Sequence, residues 1–210
     1  MVPARIVHNN SRFSEDLDFD NLGLTESQFE SVSLIIKKGL EKDGYKVEMK
    51  NVMKGAFHCH IRFPGLLFDE GLSGHREQKV LIQLDTEPQH FKFRPESVIL
   101  NKFDVFTEIS VTPLPVLLSQ KLYAILNRKQ PKGRDFFDAV FLLSLTRPDY
   151  KYLKQKINMN TAEEVRSAVL KRCSAIDMKQ MVADVKEFLF DAGDAKKVLL
   201  FPKYFEKVAL

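Results

Sequence analysis

Two carboxylates, Asp16 and Asp18, stand two residues apart in the short segment Arg12–Asp20. Side chains alternate between the two faces of a strand, so Asp16 and Asp18 project to one face while Leu17 and Phe19 project to the other. Mg²⁺ prefers oxygen ligands and is usually held by one or two carboxylates together with waters and substrate phosphates. The pattern therefore indicates a candidate Mg²⁺ site, with the acidic outer face of a solvated strand as the alternative.

A third carboxylate, Asp85, ends the apolar segment 79–85, which predicts a buried strand. A charge at such a position is costly unless it is paired or bound to a metal. This cost favours Asp85 as a third metal ligand beside Asp16 and Asp18. A turn residue at the end of the strand is the alternative, because Thr86-Glu87-Pro88 follows.

Two histidines, His58 and His60, share one face of a second predicted strand over residues 56–63. A pair of histidines on one strand face could bind a metal ion. A zinc site needs further ligands nearby, and the sequence offers none. We therefore interpret His58 and His60 as histidines of the sheet surface.

A second set of charged residues lies further along the chain, where the pattern is helical. The predicted helix 115–127 places Lys121 at the edge of its apolar stripe. The next helix, beginning near Arg134, is apolar almost all round, which makes Asp135 and Asp138 its anomalous residues. These acids could stabilise the first turn of the helix and pair with nearby cations, or Asp135 could orient Lys121 or act as a base.

Three blocks of the sequence resemble a known family when they are read together. The first is Arg12-Phe13-Ser14-Glu15-Asp16-Leu17-Asp18-Phe19, the second is Gln120-Lys121-Leu122-Tyr123-Ala124-Ile125, and the third is Gly133-Arg134-Asp135-Phe136-Phe137-Asp138. They resemble, in order, the acidic signature and the "EKL-AL … RD-YD" block of the AbiEii/AbiGii toxin family. That family is a branch of the DNA polymerase β-like nucleotidyltransferases.

The resemblance implies a Mg²⁺-dependent enzyme that moves a nucleoside monophosphate from an NTP to an acceptor hydroxyl, which is tRNA in some members. It also implies the toxin of a toxin–antitoxin or abortive-infection system, with a separate antitoxin protein as partner. Two alternatives remain open: a catalytically inactive nucleotidyltransferase fold that binds a partner or nucleotide, and a nucleotidyltransferase that modifies a small molecule.

Residue by residue, the resemblance implies three sets of roles. Catalysis is assigned to Asp16, Asp18, Lys121 and Asp135, Mg²⁺ binding to Asp16, Asp18 and Asp85, and nucleotide binding to Arg12, Ser14 and Lys121. Asp138 is interpreted as a scaffold residue. The family also places a Gly-Gly-Thr/Ser segment upstream of the acidic strand, where this chain has Met1-Val2-Pro3-Ala4. We therefore expect the 210-residue chain to lack this segment and to bind NTP weakly.

The elements that must position these residues predict an α+β protein. Thr25 and Gln28 predict a capping box that begins a helix over residues 25–43. Strand patterns dominate up to residue 111, and helical patterns follow the Thr112–Pro115 segment. We therefore expect a mixed-sheet nucleotidyltransferase lobe over residues 1–111 and a helical lobe over residues 112–210.

Charge and composition narrow the classes of protein further. Residues 111–210 contain 18 Lys or Arg and 11 Asp or Glu, a net charge of +7, which favours a polyanion such as RNA as partner. No apolar run is long enough to span a membrane, and the N-terminus lacks the apolar centre of a signal peptide. With Cys59 and Cys173 far apart in sequence, we expect a cytoplasmic protein with free thiols and no membrane partner.

Overall fold

The computed structural model describes residues 6–14, 16–102 and 104–210. It contains two compact units. The sheet unit comprises residues 14–92, and the helical unit comprises residues 93–210 together with 6–13. The expectations that concern residues 1–5, including the glycine-rich segment, lie outside the described residues.

The sheet unit is built on a four-stranded sheet with the order β1-β4-β3-β2. Its strands are β1 (Asp16–Asn21), β2 (Glu48–Lys54), β3 (Ala56–Pro64) and β4 (Lys79–Pro88). β1 runs parallel to β4, whereas the β4–β3 and β3–β2 pairs are antiparallel. This mixed pairing brings the first strand of the unit beside the last one, so the acidic segment lies next to Asp85.

Helix α1 (Glu26–Lys42) covers one face of this sheet. Thr25 and Gln28 form the predicted capping box, in which Thr25 Oγ1 accepts a hydrogen bond from the Gln28 N–H and Gln28 Oε1 accepts one from the Thr25 N–H. The buried core beneath α1 is formed by Phe29, Phe57, Cys59, Ile61, Phe63 and Leu84. The opposite face of the sheet, called the polar face below, carries Asp16, Asp18, His58, His60, Gln83 and Asp85.

The helical unit begins with a two-stranded antiparallel hairpin and continues as helices. The hairpin strands are β5 (Glu96–Lys102) and β6 (Val105–Val111). A short helix α2 (Leu66–Asp69) precedes them in the sheet unit. The later helices are α3 (Leu114–Asn127), α4 (Gly133–Leu143), α5 (Tyr150–Ile157), α6 (Ala162–Ser174), α7 (Met178–Lys186), α8 (Lys196–Leu199) and α9 (Phe201–Lys207), with a 3₁₀ turn (Ala192–Ala195) before α8.

Helix α4 forms the centre of the helical unit, as its apolar sequence predicts. Phe136 and Phe137 are fully buried, and the Phe136 ring contacts Phe201 edge to face with 5.1 Å between ring centroids. At the start of α4, Gly133 lies against the backbone of α7 and donates its N–H to Asp184 Oδ2 over 2.6 Å. The absence of a side chain at Gly133 therefore sets how closely α4 and α7 approach.

The α+β fold class, with an N-terminal mixed sheet and a helical C-terminal region, is confirmed. One detail of the expected strands is wrong. β4 does not end at Asp85 but continues to Pro88, because Asp20 and Asn21 of β1 pair with Glu87 and Pro88.

The division into compact units falls between Lys92 and Phe93. The hairpin β5–β6 forms its own two-stranded sheet and belongs to the helical unit, which is why the division precedes the expected boundary between residues 111 and 112. The assignment of residues 1–111 to a nucleotidyltransferase lobe stays a prediction. Across the described part of the chain, no helix combines the length and the apolar character needed to cross a bilayer.

We predict that Gly133→Ala destabilises the protein by about 1–3 kcal/mol or more, as overpacking does. A Cβ at Gly133 would lie 2.0 Å from the Met181 carbonyl oxygen, so a backbone segment has to move. Gly39→Ala is the matched control, since a Cβ there meets nothing within 4 Å and alanine favours the helix by about 0.5–1 kcal/mol. Urea unfolding, followed by circular dichroism, measures the free energy of unfolding of both variants. Equal stabilisation of Gly133→Ala and Gly39→Ala would contradict the close approach of α4 and α7.

Candidate functional site

The polar face of the sheet unit brings the three predicted metal ligands to neighbouring positions. In the parallel β1–β4 pair, Asp18 lies opposite Asp85 and Asp16 lies opposite Gln83. Residues that face each other across adjacent strands project to the same side of the sheet. The pairing register therefore places Asp16, Asp18 and Asp85 on one face, as their predicted common role requires.

Asp85 is held by two neighbours on this face. His58 lies opposite Asp85 in the β3–β4 pair, and its Nδ1 is 2.7 Å from Asp85 Oδ1. Gln83 Nε2 donates to both carboxylate oxygens of Asp85, over 3.0 Å to Oδ1 and 2.9 Å to Oδ2. The sequence pattern indicates a surface histidine at His58 and carries no signal at Gln83, because their contact with Asp85 depends on the strand register.

The donor set on this face has the chemistry that Mg²⁺ prefers, since all three predicted ligands are carboxylates. Among residues 6–14, 16–102 and 104–210, no group of three or more His, Cys, Asp or Glu side chains is placed so that it could hold a metal ion. Mg²⁺ sites of enzymes that act on phosphates use one or two carboxylates, because waters and phosphate oxygens complete the coordination. The carboxylates fit this kind of site, and their metal role stays a prediction.

Ser14 lies directly before the acidic strand, where the resemblance implies a nucleotide contact. Its hydroxyl donates a hydrogen bond to the Asp16 carbonyl oxygen over 3.2 Å. This contact bends the side chain back onto the backbone that leads into β1. The nucleotide contact of Ser14 stays a prediction.

The helical unit contains a buried ion cluster centred on Asp138, whose side chain is 0% exposed. Arg12 binds this carboxylate through two parallel contacts, Nε to Oδ1 over 2.6 Å and Nη2 to Oδ2 over 2.7 Å. Asn10 Nδ2 donates to the same Oδ1 over 2.9 Å. Bidentate arginine–carboxylate pairs of this kind are among the strongest charge-assisted hydrogen bonds.

Lys121 extends from α3 to complete the cluster. Its ammonium lies 2.9 Å from Asp138 Oδ2 and 3.1 Å from Asp135 Oδ1. Arg128 Nε lies 3.4 Å from the other oxygen of Asp135. The predicted link between Asp135 and Lys121 is thus present as a direct ion pair, and both side chains are almost completely buried.

The electrostatics of the cluster follow from burial and from opposite charges at contact distance. Burial alone would raise the pKa of Asp138, but the Lys121 ammonium and the Arg12 guanidinium outweigh it and hold this pKa well below the ordinary value. Burial alone would lower the pKa of Lys121, but Asp138 and Asp135 raise it above the ordinary value. Asp138 and Lys121 are therefore both charged at neutral pH.

The three sequence blocks that carry the family resemblance meet in this cluster: Arg12 comes from the first, Lys121 from the second, and Asp135 and Asp138 from the third. Arg12 binds an internal partner here, and the nucleotide contacts assigned to Arg12 and Lys121 stay predictions. Asn10 could not be found from the sequence, because it precedes the first block and carries no periodic signal.

The predicted site residues are divided between the two compact units. Asp16, Asp18 and Asp85 lie in the sheet unit, whereas the residues of the ion cluster lie in the helical unit.

Comparisons with known proteins agree with the resemblance. A family model described as "Nucleotidyl transferase AbiEii toxin, Type IV TA system" matches residues 5–204. The structure is similar to the crystal structure of JHP933 from Helicobacter pylori, with a TM-score of 0.54 and 15% sequence identity over 99% of this chain and 82% of that chain. At this identity the similarity shows the fold alone. No curated protein sequence matches the chain significantly.

We predict that Asp138→Asn lowers the free energy of unfolding at pH 7 by about 3–5 kcal/mol, because it leaves the charge of Arg12 buried without its carboxylate and removes one of the two carboxylates that pair with Lys121. The stabilisation by wild-type Asp138 is complete above the ordinary aspartate pKa of 3.8 and is lost as the pH falls below it, since the unfolded chain binds the proton first. The free energy of unfolding of the Asp138→Asn variant should therefore fall less steeply as the pH is lowered through this range.

Asp194→Asn is the control for this measurement. Asp194 pairs with Lys197 over 2.9 Å near the surface, and such pairs contribute about 0–1 kcal/mol. Urea unfolding at several pH values between neutral and acidic separates the two variants. Equally small losses of unfolding free energy in Asp138→Asn and Asp194→Asn would show that the buried cluster contributes little to stability.

Proposed function

The chain belongs to the AbiEii nucleotidyltransferase toxin family of type IV toxin–antitoxin systems, and on that premise we propose that it transfers a nucleoside monophosphate from an NTP to an acceptor hydroxyl. The observation that carries this proposal is the register of the β1–β4 pair, in which Asp18 lies opposite Asp85 and Asp16 shares their face. Carboxylate oxygens are the ligands that a hard cation such as Mg²⁺ prefers, which supports the proposal.

Asp16 and Asp18 are the proposed Mg²⁺ ligands, with Asp85 as the third. When bound, Mg²⁺ supplies charge neutralisation for the triphosphate and for the departing pyrophosphate. In the proposed reaction the acceptor oxygen releases its proton to solvent water and forms a bond to the α-phosphorus. The bond from the α-phosphorus to the oxygen that bridges it to the β-phosphorus breaks, and pyrophosphate leaves.

For Lys121 we retain the proposed contact with the nucleotide triphosphate, and for Asp135 we propose the role of orienting Lys121. The 3.1 Å contact between the Lys121 ammonium and Asp135 Oδ1 supports this role of Asp135. Asp138 is the proposed scaffold residue, because it is fully buried and binds Arg12 as well as Lys121.

RNA, and tRNA in particular, is the proposed acceptor. The net charge of +7 over residues 111–210 supports a polyanionic partner. Three of these cations, Arg128, Lys129 and Lys132, are exposed in the loop between α3 and α4. Phosphate contacts of this kind make binding weaker as the salt concentration rises. The family also implies an antitoxin as the partner of this protein.

We predict that Asp18→Asn abolishes Mg²⁺-dependent transfer while leaving the fold intact, because Asp18 is exposed and its amide replacement keeps the size but removes the ligand charge. Each NTP labelled at the α-phosphate is incubated with the protein, Mg²⁺ and total RNA, and the labelled product is identified. Asp69→Asn, in the short helix α2, is the control and should retain full transfer.

The outcomes of this experiment separate the alternatives. Label in RNA supports the RNA acceptor, and label in a small molecule replaces it. Mg²⁺-dependent NTP binding without any incorporation would identify an inactive binding protein. Full transfer by the Asp18→Asn variant would overturn the assignment of the acidic face.

We further predict that Lys121→Gln weakens NTP binding, because an ammonium that contacts the triphosphate is lost. Lys129→Gln, which changes an exposed cation of the neighbouring loop, should leave NTP binding unchanged. Fluorescence titration with labelled NTP measures the NTP affinity of both variants. Asp138→Asn serves as a further control, because it disrupts the ion cluster but keeps the Lys121 ammonium. Unchanged NTP binding by a folded Lys121→Gln variant would limit Lys121 to a structural role.

A further inference from the structure

The hydrogen bonds of Asp85 with other described side chains come from two residues, His58 and Gln83. Both lie on the polar face of the sheet, His58 across the β3–β4 pair and Gln83 two residues earlier on the same strand. A carboxylate can only accept hydrogen bonds, so His58 Nδ1 and Gln83 Nε2 are the donors. Asp85 is therefore fixed from two directions by groups that the proposed reaction does not otherwise use.

The acceptor sites of the Asp85 carboxylate can be assigned to these donors. A carboxylate has about four lone-pair sites, two on each oxygen. Oδ1 accepts from His58 over 2.7 Å, and both oxygens share the Gln83 amide, over 3.0 Å to Oδ1 and 2.9 Å to Oδ2. Oδ2 has no second donor among the described side chains, so more of its acceptor capacity is left for a further partner.

We propose that His58 and Gln83 are positioning residues that hold the Asp85 carboxylate in the orientation in which it would bind the divalent cation. This inference rests on the proposed function, in which Asp85 is the third ligand beside Asp16 and Asp18. Residues that donate hydrogen bonds to a metal ligand fix its orientation, and their loss typically weakens metal binding about 10–100-fold. His58 is half-buried on the sheet surface, and its direct contact with Asp85 adds a specific role to the interpretation of this histidine as a surface residue.

The neighbouring histidine provides a matched control. His60 lies on the same face of β3, but it faces Gln83 rather than Asp85 in the strand register. His58 and His60 are also both half-buried, so their replacement perturbs the sheet to a similar extent. A general effect of removing a histidine from β3 should therefore appear in both variants, and an effect through Asp85 only in His58 variants.

The test measures Mn²⁺ binding by electron paramagnetic resonance, with Mn²⁺ in place of Mg²⁺ and in the presence of each α,β-methylene ribonucleoside triphosphate. We expect His58→Ala and Gln83→Ala to weaken Mn²⁺ binding about 10–100-fold and His60→Ala to leave it unchanged. His58→Asn should restore most of the affinity, because its amide nitrogen occupies the place of Nδ1 and donates the same hydrogen bond. Thermal unfolding of each variant confirms that it is folded.

A double-mutant cycle shows whether His58 acts through Asp85. In an Asp85→Ala background, His58→Ala should cause no further loss of Mn²⁺ affinity. Equal losses in both backgrounds, or unchanged binding in the His58→Ala variant of a protein that binds Mn²⁺, would overturn this inference alone. Absence of Mn²⁺ binding by the wild-type protein with every nucleotide would instead overturn the metal site of the proposed function, and this inference with it.

Discussion

Burial of the Asp138 carboxylate between two cations is the interaction on which the helical unit most depends. Removing a charge from water costs several kcal/mol, and the cost is offset only when the partners and hydrogen bonds are well placed. Arg12 supplies two hydrogen bonds, Asn10 a third, and Lys121 a second opposite charge. Arg12 and Asp138 are 126 residues apart in sequence, so this one carboxylate holds the segment that precedes β1 against α4.

The cluster also explains why charged residues occur in an otherwise apolar helix. Asp135 and Asp138 are one turn apart on α4, and both face Lys121. An apolar helix could have packed in several rotational settings, but two buried carboxylates allow only the setting that reaches their cations. The charged pairs therefore specify how α3 and α4 pack, whereas the surrounding Phe and Leu side chains provide most of the buried apolar area.

In the sheet unit the corresponding constraint is the parallel pairing of β1 with β4. It places Asp18 opposite Asp85, and like charges on adjacent strands repel each other. The hydrogen bonds from His58 and Gln83 stabilise the negative charge of Asp85, and a divalent cation would neutralise the remaining repulsion. Relief of this repulsion is consistent with the metal role that we propose for these carboxylates.

Local sequence patterns by themselves determined much of the secondary structure. Thr25 and Gln28 set the start of α1, the alternation of Ala56–Pro64 identified β3, and the apolar sequence of Gly133–Leu143 identified a buried helix, because capping and periodicity act within a few residues. The three family blocks also named Asp16, Asp18, Lys121 and Asp135 as candidates. Only the tertiary structure decided which residues those candidates touch. The continuation of β4 past Asp85, the contact of His58 with Asp85 and the binding of Arg12 to Asp138 depend on strand register and on pairs far apart in sequence, and no local pattern encodes either.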